Sequence, residues 1–229
     1  MGDSGPVSGL VDAMHSDRGR VVFERQAIPE GGARIFFVRH GEVHNPDKIF
    51  YGRLPRFRLS STGEEQAVAA AAVLATEPIA AIFTSPLLRA RQTGRIIAQE
   101  HPTISVGVSR TIVEIRSSLQ GELTAKLDAT DWNFYEPALR NDDETIAMIA
   151  ARIVGFCRMI VRRYPSQAVV AVTHGDILAV ARAYFEAWPL VLASLRGDVY
   201  PATASILRVT LGADLVATDV AYLKPWSAG

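Results

Sequence analysis

The chain has a single cysteine, Cys157, among its 229 residues, so it cannot close an internal disulfide. Cys157 stands in the apolar stretch Ile153-Val154-Gly155-Phe156-Cys157 and reads as a buried core thiol, in keeping with a reducing compartment. There is no charge excess: 24 Lys and Arg balance 24 Asp and Glu, which argues against nucleic acid or an anionic membrane surface as the main partner. No apolar run approaches the ~18 residues of a membrane span. Nothing near the N-terminus joins a basic flank to a long apolar core, so no signal peptide is read and a cytoplasmic location is expected. Internal repeats and low-complexity tracts are absent as well. None of this bears on oligomeric state, and a homodimer stays open.

What is present is a chain that is 48% hydrophobic, long enough for one sizeable core in a single α/β domain. Residues 1–33 are mixed and glycine-rich and read as a leader, whose one candidate strand is Arg20-Val21-Val22-Phe23. Beyond them, residues 34–229 read as one catalytic domain with a lid or insert around 111–141.

Three short apolar runs organise that domain. Ile35-Phe36-Phe37-Val38 leads into Arg39-His40-Gly41. Ile79-Ala80-Ala81-Ile82-Phe83 leads into Thr84-Ser85-Pro86-Leu87-Leu88-Arg89, and Ala168-Val169-Val170-Ala171-Val172 leads into Thr173-His174-Gly175. Ligands of open α/β sheets bind outside the carboxyl ends of the strands. If these runs are neighbouring parallel strands, two arginines and two histidines meet at one mouth, a pocket for a doubly charged oxyanion beside a nucleophilic imidazole. Around the runs, a helix is expected from Thr62 to Leu74, with Glu64 and Glu65 in its first turn. Another is expected with Ser85 as N-cap and Pro86 at the first helical position. A possible strand covers Thr103 to Val108, a long helix opens at Asp142-Asp143-Glu144-Thr145 and ends at Pro165, and a further helix runs through Ala187. Two alternating runs, Ala204 to Thr210 and Leu215 to Tyr222, read as a closing hairpin.

The constellation suits phosphoryl chemistry. Arg39 and Arg89 offer forked donors to phosphate oxygens. His174, if protonated, would add a third cation. Cationic neighbours keep His40 neutral, as an attacking imidazole must be. Attack would give a covalent phosphohistidine. The departing alkoxide needs a proton, and Glu114, a lone acid in Ile112-Val113-Glu114-Ile115, is the best donor. The loop from His44 to Ser61, holding Asn45, Tyr51 and Arg53, is long enough to be functional and offers substrate contacts. A metal site of His40, His44 and His174 is an alternative, weakened by Gly41 and Pro46, which oppose the helix that the 40/44 spacing would need.

The ordered motifs Val38-Arg39-His40-Gly41-Glu42, then Leu59-Ser60-Ser61-Thr62-Gly63-Glu64-Glu65-Gln66-Ala67, then Ser85-Pro86-Leu87-Leu88-Arg89-Ala90-Arg91-Gln92-Thr93, then Val172-Thr173-His174-Gly175, resemble the histidine phosphatase superfamily, the phosphoglycerate-mutase-like group. The resemblance spans roughly Arg34 to Ala187. It implies a three-layer α/β/α sandwich around a mostly parallel sheet and a phosphorylated nucleophile at His40. It implies a phosphate pocket completed by Arg39, Arg89 and His174, and a proton donor at Glu114. No cofactor or metal follows from it, and the partner is a small phosphorylated substrate. The chain departs from the mutase pattern: Val43 and His44 follow Glu42, and Ser117-Ser118-Leu119-Gln120-Gly121 replaces the usual glycine and acid-glycine pair. A metal-independent phosphomonoesterase is therefore the first expectation. A phosphoglycerate mutase is the alternative, and a non-catalytic phospholigand-binding module a third reading from another class.

Overall fold

The structure is a computed structural model, describing residues 14–17, 20–24, 26–135 and 142–226. A small antiparallel hairpin, β1 (Met14–Asp17) with β2 (Arg20–Phe23), precedes the main domain. Of the two, only β2 coincides with a candidate strand read from the sequence. Phe23 packs on Phe36 at 5.7 Å between ring centroids, so the leader's end belongs to the core.

The main sheet has six strands. These are β3 (Ala33–Arg39), β4 (Ile79–Thr84), β5 (Val106–Val108), β6 (Gln167–Thr173), β7 (Ile206–Leu211) and β8 (Ala217–Leu223), in the order β5-β4-β6-β3-β7-β8. The first four in that order run parallel, β7 pairs antiparallel with β3, and β8 pairs antiparallel with β7. The expected α/β fold with a mostly parallel sheet is therefore what forms.

Alternation along β3 explains the layers. Ile35 and Phe37 face one core cluster, Phe36 and Val38 the other. A strand buried on both faces reads as a continuous apolar run, as this one does. On one side lie α1 (Ser61–Leu74) and α2 (Leu88–Gln99), contributing Ala70, Leu74 and Ile97. On the other lie α4 (Ile146–Arg163) and α5 (Gly175–Phe185), contributing Ile149, Ile153, Phe156, Ile177 and Val180, after the short α3 (Thr124–Asp128) of the insert. Cys157 is buried in this second cluster, and burial pushes its thiol well up.

Two helix starts, those of α2 and α4, differ from expectation, while that of α1 falls within a residue of it. α1 begins at Ser61 with Ser60 as its N-cap, the Ser60 hydroxyl accepting from Gly63 N–H at 3.0 Å. α2 begins at Leu88, not at Pro86, with an extended Leu87 before it. Ser85 is no cap because it is still part of the strand end: its N–H donates to Val172 O, and its hydroxyl is engaged by His174. The long α4 starts after Thr145, because Asp143 and Glu144 turn their carboxylates to the insert instead.

Candidate active site

β3, β4 and β6 are adjacent and parallel, so the segments that follow them meet at one sheet edge. His40 continues β3, its N–H donating to Thr173 O at 3.0 Å. Gly41 allows a close approach, although the contact is with protein: a Cβ there would stand 2.1 Å from Gly63 O, inside the first turn of α1. Gly41 N–H donates to Thr93 Oγ1 at 3.2 Å, and Thr93 in turn donates to Arg89 O at 3.0 Å, which ties α2 to the end of β3.

The His40 ring is fixed at both nitrogens. Nδ1 donates to Gly41 O at 2.7 Å, and Nε2 accepts from Arg89 Nε at 3.0 Å. That pairing selects the tautomer with its lone pair on Nε2. Burial, then the guanidiniums of Arg89 and Arg39, hold the His40 pKa well below the imidazole range. The ring is an uncharged base among cations, as an attacking nitrogen requires.

Arg89 is fully buried. It sends Nη2 to Gly52 O at 2.7 Å and lies under the Tyr51 ring at 4.6 Å. Arg39 bonds Pro201 O and faces the Tyr200 ring at 5.1 Å. His174 meets Ser85 Oγ through Nε2 at 2.7 Å and packs edge-on to His40 at 5.1 Å. Burial and the nearby Arg89 push the His174 pKa well down, which favours the uncharged ring over the third cation expected. Three side-chain atoms around His40 find no hydrogen-bond partner among the described residues: Arg39 Nε, Arg89 Nη1 and His174 Nδ1. Buried donors of this kind are costly unless a ligand takes them.

Glu114 joins the cluster. Its Oε1 accepts from Ile115 N–H at 2.9 Å, and its Oε2 lies 3.8 Å from His174 Nδ1. Burial, reinforced by Asp176 and opposed by Arg89 and Arg39, raises its pKa to about 7. A carboxyl so placed holds its proton to higher pH than an exposed glutamate does.

Above His40 opens a cavity of about 460 Å³, whose lining includes Arg39, Glu114 and Tyr51 together with Phe50, Trp132 and Phe134. Trp132 and Phe134 belong to the 111–141 segment, and their neighbour Tyr135 is buried behind them without lining the cavity. Phe50 stacks on Phe134 at 4.4 Å and meets Trp132 edge-on at 6.4 Å.

The loop residues offered as substrate contacts divide. Tyr51 and Asn45 line the cavity, but the Asn45 amide is spent on the Ile49 backbone, donating to its O and accepting from its N–H. Arg53 does not line it. Its Nε donates to Glu114 O at 2.7 Å and its Nη2 pairs with Glu144 at 2.8 Å. His44 is exposed, and among the described residues no three metal-ligating side chains converge.

Sequence reading missed one polar group. Asp176, in the first turn of α5, accepts from Tyr135 Oη at 2.7 Å and Tyr200 Oη at 3.1 Å and pairs with Arg196 at 2.8 Å. Arg196 also donates to Trp132 O at 2.8 Å, tying the Trp132 segment to α5. An acid directly after His174-Gly175 was the available signal; nothing local marks Tyr200 or Arg196. Gly175 is required here, because a Cβ would stand 2.2 Å from Tyr200 Oη.

Residues 35–217 match the family model of the histidine phosphatase superfamily (branch 1). The uncharacterized protein Rv0525 of Mycobacterium tuberculosis (strain H37Rv) is 33% identical over 198 residues, which span 84% of this chain and 96% of that protein. Among solved structures, the mycobacterial glucosyl-3-phosphoglycerate phosphatase Rv2419c superposes with a TM-score of 0.65 at 25% identity, over 83% of this chain and 97% of that one. The same phosphatase is also known in complex with VO3. Bacillus stearothermophilus YhfR shares the fold, with a TM-score of 0.68 at 22% identity over 79% of this chain and 92% of its own.

Proposed function

The chain belongs to the histidine phosphatase superfamily, branch 1, and on that premise we propose that it is a metal-independent phosphatase of small phosphomonoesters acting through a phosphohistidine at His40. The observation that carries this reading is the His40 Nε2 lone pair, buried and ringed by the unpartnered donors Arg39 Nε, Arg89 Nη1 and His174 Nδ1. A phosphoryl group placed there meets an in-line nucleophile and donors aimed at its oxygens, which is where such sites stabilise developing charge.

In the first step the Nε2 lone pair attacks phosphorus and the P–O bond to the alcohol breaks. Arg89 Nε passes from Nε2 to a phosphoryl oxygen, and Glu114 gives its proton to the departing alkoxide. In the second step water attacks the phosphohistidine while the Glu114 carboxylate accepts a proton. The P–N bond breaks, and inorganic phosphate leaves. The Glu114 pKa of about 7 suits both duties, since acid and base forms coexist near neutrality.

The organic part of the substrate would lie against Phe50, Trp132 and Phe134, which favours an alcohol with a flat or apolar surface. The related phosphatase is known in complexes with VO3 and with inorganic phosphate, oxyanions of the kind this reading requires.

The test is a panel of phosphorylated metabolites and aryl phosphates, assayed for phosphate release and, on phosphoglycerates, for isomer interconversion. Phosphate release that His40→Ala abolishes is the expected outcome. Interconversion without net release would instead make the chain a mutase.

A further inference from the structure

One carboxylate outside the cavity gathers an unusual number of donors. Glu144, just before the N-cap of α4, is largely buried, with its side chain 11% exposed. Its Oε2 accepts from Arg53 Nη2 at 2.8 Å and from Arg116 N–H at 2.8 Å. Arg152, from the second turn of α4, reaches Oε1 through Nε at 3.0 Å and Oε2 through Nη2 at 3.3 Å. The Glu144 N–H returns a bond to Arg116 O at 3.0 Å.

The two guanidiniums so gathered converge on one backbone group. Arg53 Nε donates to Glu114 O at 2.7 Å, and Arg152 Nη2 approaches the same oxygen at 3.5 Å. Arg152 Nη1 also holds Thr111 O at 2.7 Å, at the start of the turn that leads to Glu114. Next in sequence, Asp143 accepts from both Ser118 N–H and Ser118 Oγ, at 2.6 and 2.7 Å. The segment 111–118 has no strand ladder or α-helix of its own to hold it. Ile112 and Ile115 anchor it in the core, with Thr173 Oγ1 donating to Ile112 O at 2.8 Å, and these charged contacts hold the Glu114 peptide between them.

We propose that Glu144 is the positioning residue of the general acid: through Arg53 and Arg152 it fixes the peptide of Glu114, and so the reach of the carboxyl toward the leaving oxygen. The inference rests on the reading of Glu114 as proton donor. Without the Glu144 carboxylate, two guanidiniums and the Arg116 N–H lose their common acceptor and the cations repel one another. The Glu114 peptide is then free to shift. A misplacement on the order of 1 Å at a reacting group costs about a hundredfold. The nucleophile and its phosphate donors, on β3, α2 and β6, make no contact with Glu144 and keep their places.

The experiment compares kcat and KM for an alkyl phosphate, whose alcohol needs a proton to leave, and for a nitrophenyl phosphate, whose phenolate does not. The variants are Glu114→Gln, Glu144→Gln and the two combined. Glu144→Gln should lower kcat on the alkyl ester by about 10- to 100-fold and on the aryl ester by no more than about threefold, with KM little changed on either. Adding Glu144→Gln to Glu114→Gln should produce no further loss, because both act through one proton. Should Glu144→Gln fail to fold, Arg53→Gln, which removes the half-exposed arm of the clamp, must reproduce the same ester selectivity. Glu114→Gln showing the selectivity while Glu144→Gln or Arg53→Gln does not would overturn the positioning role alone. Equal losses on both esters in Glu114→Gln would instead overturn the acid assignment, and the positioning role with it.

Discussion

Arg89→Gln is the substitution whose consequence can be worked furthest. Arg89 has two atoms available to a phosphoryl group: Nε, which pairs with His40 Nε2, and Nη1, which has no partner among the described residues. A hydrogen bond to a charged group contributes about 1.5–3 kcal/mol, so the pair contributes about 3–6 kcal/mol. At about 1.4 kcal/mol per tenfold, kcat/KM should fall by about 10²- to 10⁴-fold. The loss should be similar on alkyl and aryl phosphates, because the phosphoryl group is common to both. The side chain has a second effect. Its charge is one reason the His40 pKa lies low, second to burial, so removing it lets that pKa rise. The acid limb of kcat/KM against pH, where His40 becomes protonated and inactive, should move to higher pH. Arg89→Lys should return the limb most of the way while recovering little of the rate, since an ammonium keeps the charge but not the fork. The assay is kcat/KM from acid to neutral pH, with thermal unfolding as a check on folding. A loss under about tenfold, or an acid limb that stays in place, would refute the reasoning.

Other expectations follow from the same geometry. Turnover of alkyl phosphates should fall as pH rises through about 7, because Glu114, with its raised pKa, gives up the proton it must donate; Glu114→Gln should remove that basic limb, and a limb that persists would point to another acid. Gly41→Ala drives a Cβ against Gly63 O, so it should cost about 1–3 kcal/mol, lowering Tm by about 2–12 °C in calorimetry, with activity falling further because His40 Nδ1 leans on Gly41 O. Exhaustive chelation should leave turnover unchanged, whereas a loss restored by added metal would revive the three-histidine alternative. Trp132→Ala should raise KM for naphthyl phosphate more than for glycerol phosphate, and equal effects would remove the aromatic wall from substrate binding.

The parts of the site legible in the sequence share one property: each follows an apolar run. Arg39-His40 and His174 directly continue buried strands, and Arg89 opens the helix after a third, so the sheet alone determines that they meet. Glu114 stood out as an acid among apolar neighbours, and it is indeed buried. What stayed hidden depends on distant loops converging. Arg53 looked like a substrate contact because it is a cation in a functional loop; its partner Glu144 lies 91 residues away, and no local pattern pairs them. Asp176, Tyr200 and Arg196 form one network from an α5 turn and a late irregular segment, for which no periodicity exists. Ser85 shows a competing use of one side chain: its hydroxyl could cap a helix, but the tertiary contact with His174 takes it, and α2 starts three residues later. β1 escaped notice because strand pairing with β2, not hydrophobic pattern, defines it.

The most direct test of the account is to catch the phosphoryl group on the protein. Rapid mixing with a labelled phosphomonoester, quenching under denaturing alkaline conditions and mapping by mass spectrometry should place a phosphate on His40 that acid removes and alkali spares. It should form and decay as fast as turnover and be absent from His40→Ala. Label on any other residue, or turnover by His40→Ala at the parent rate, would contradict it.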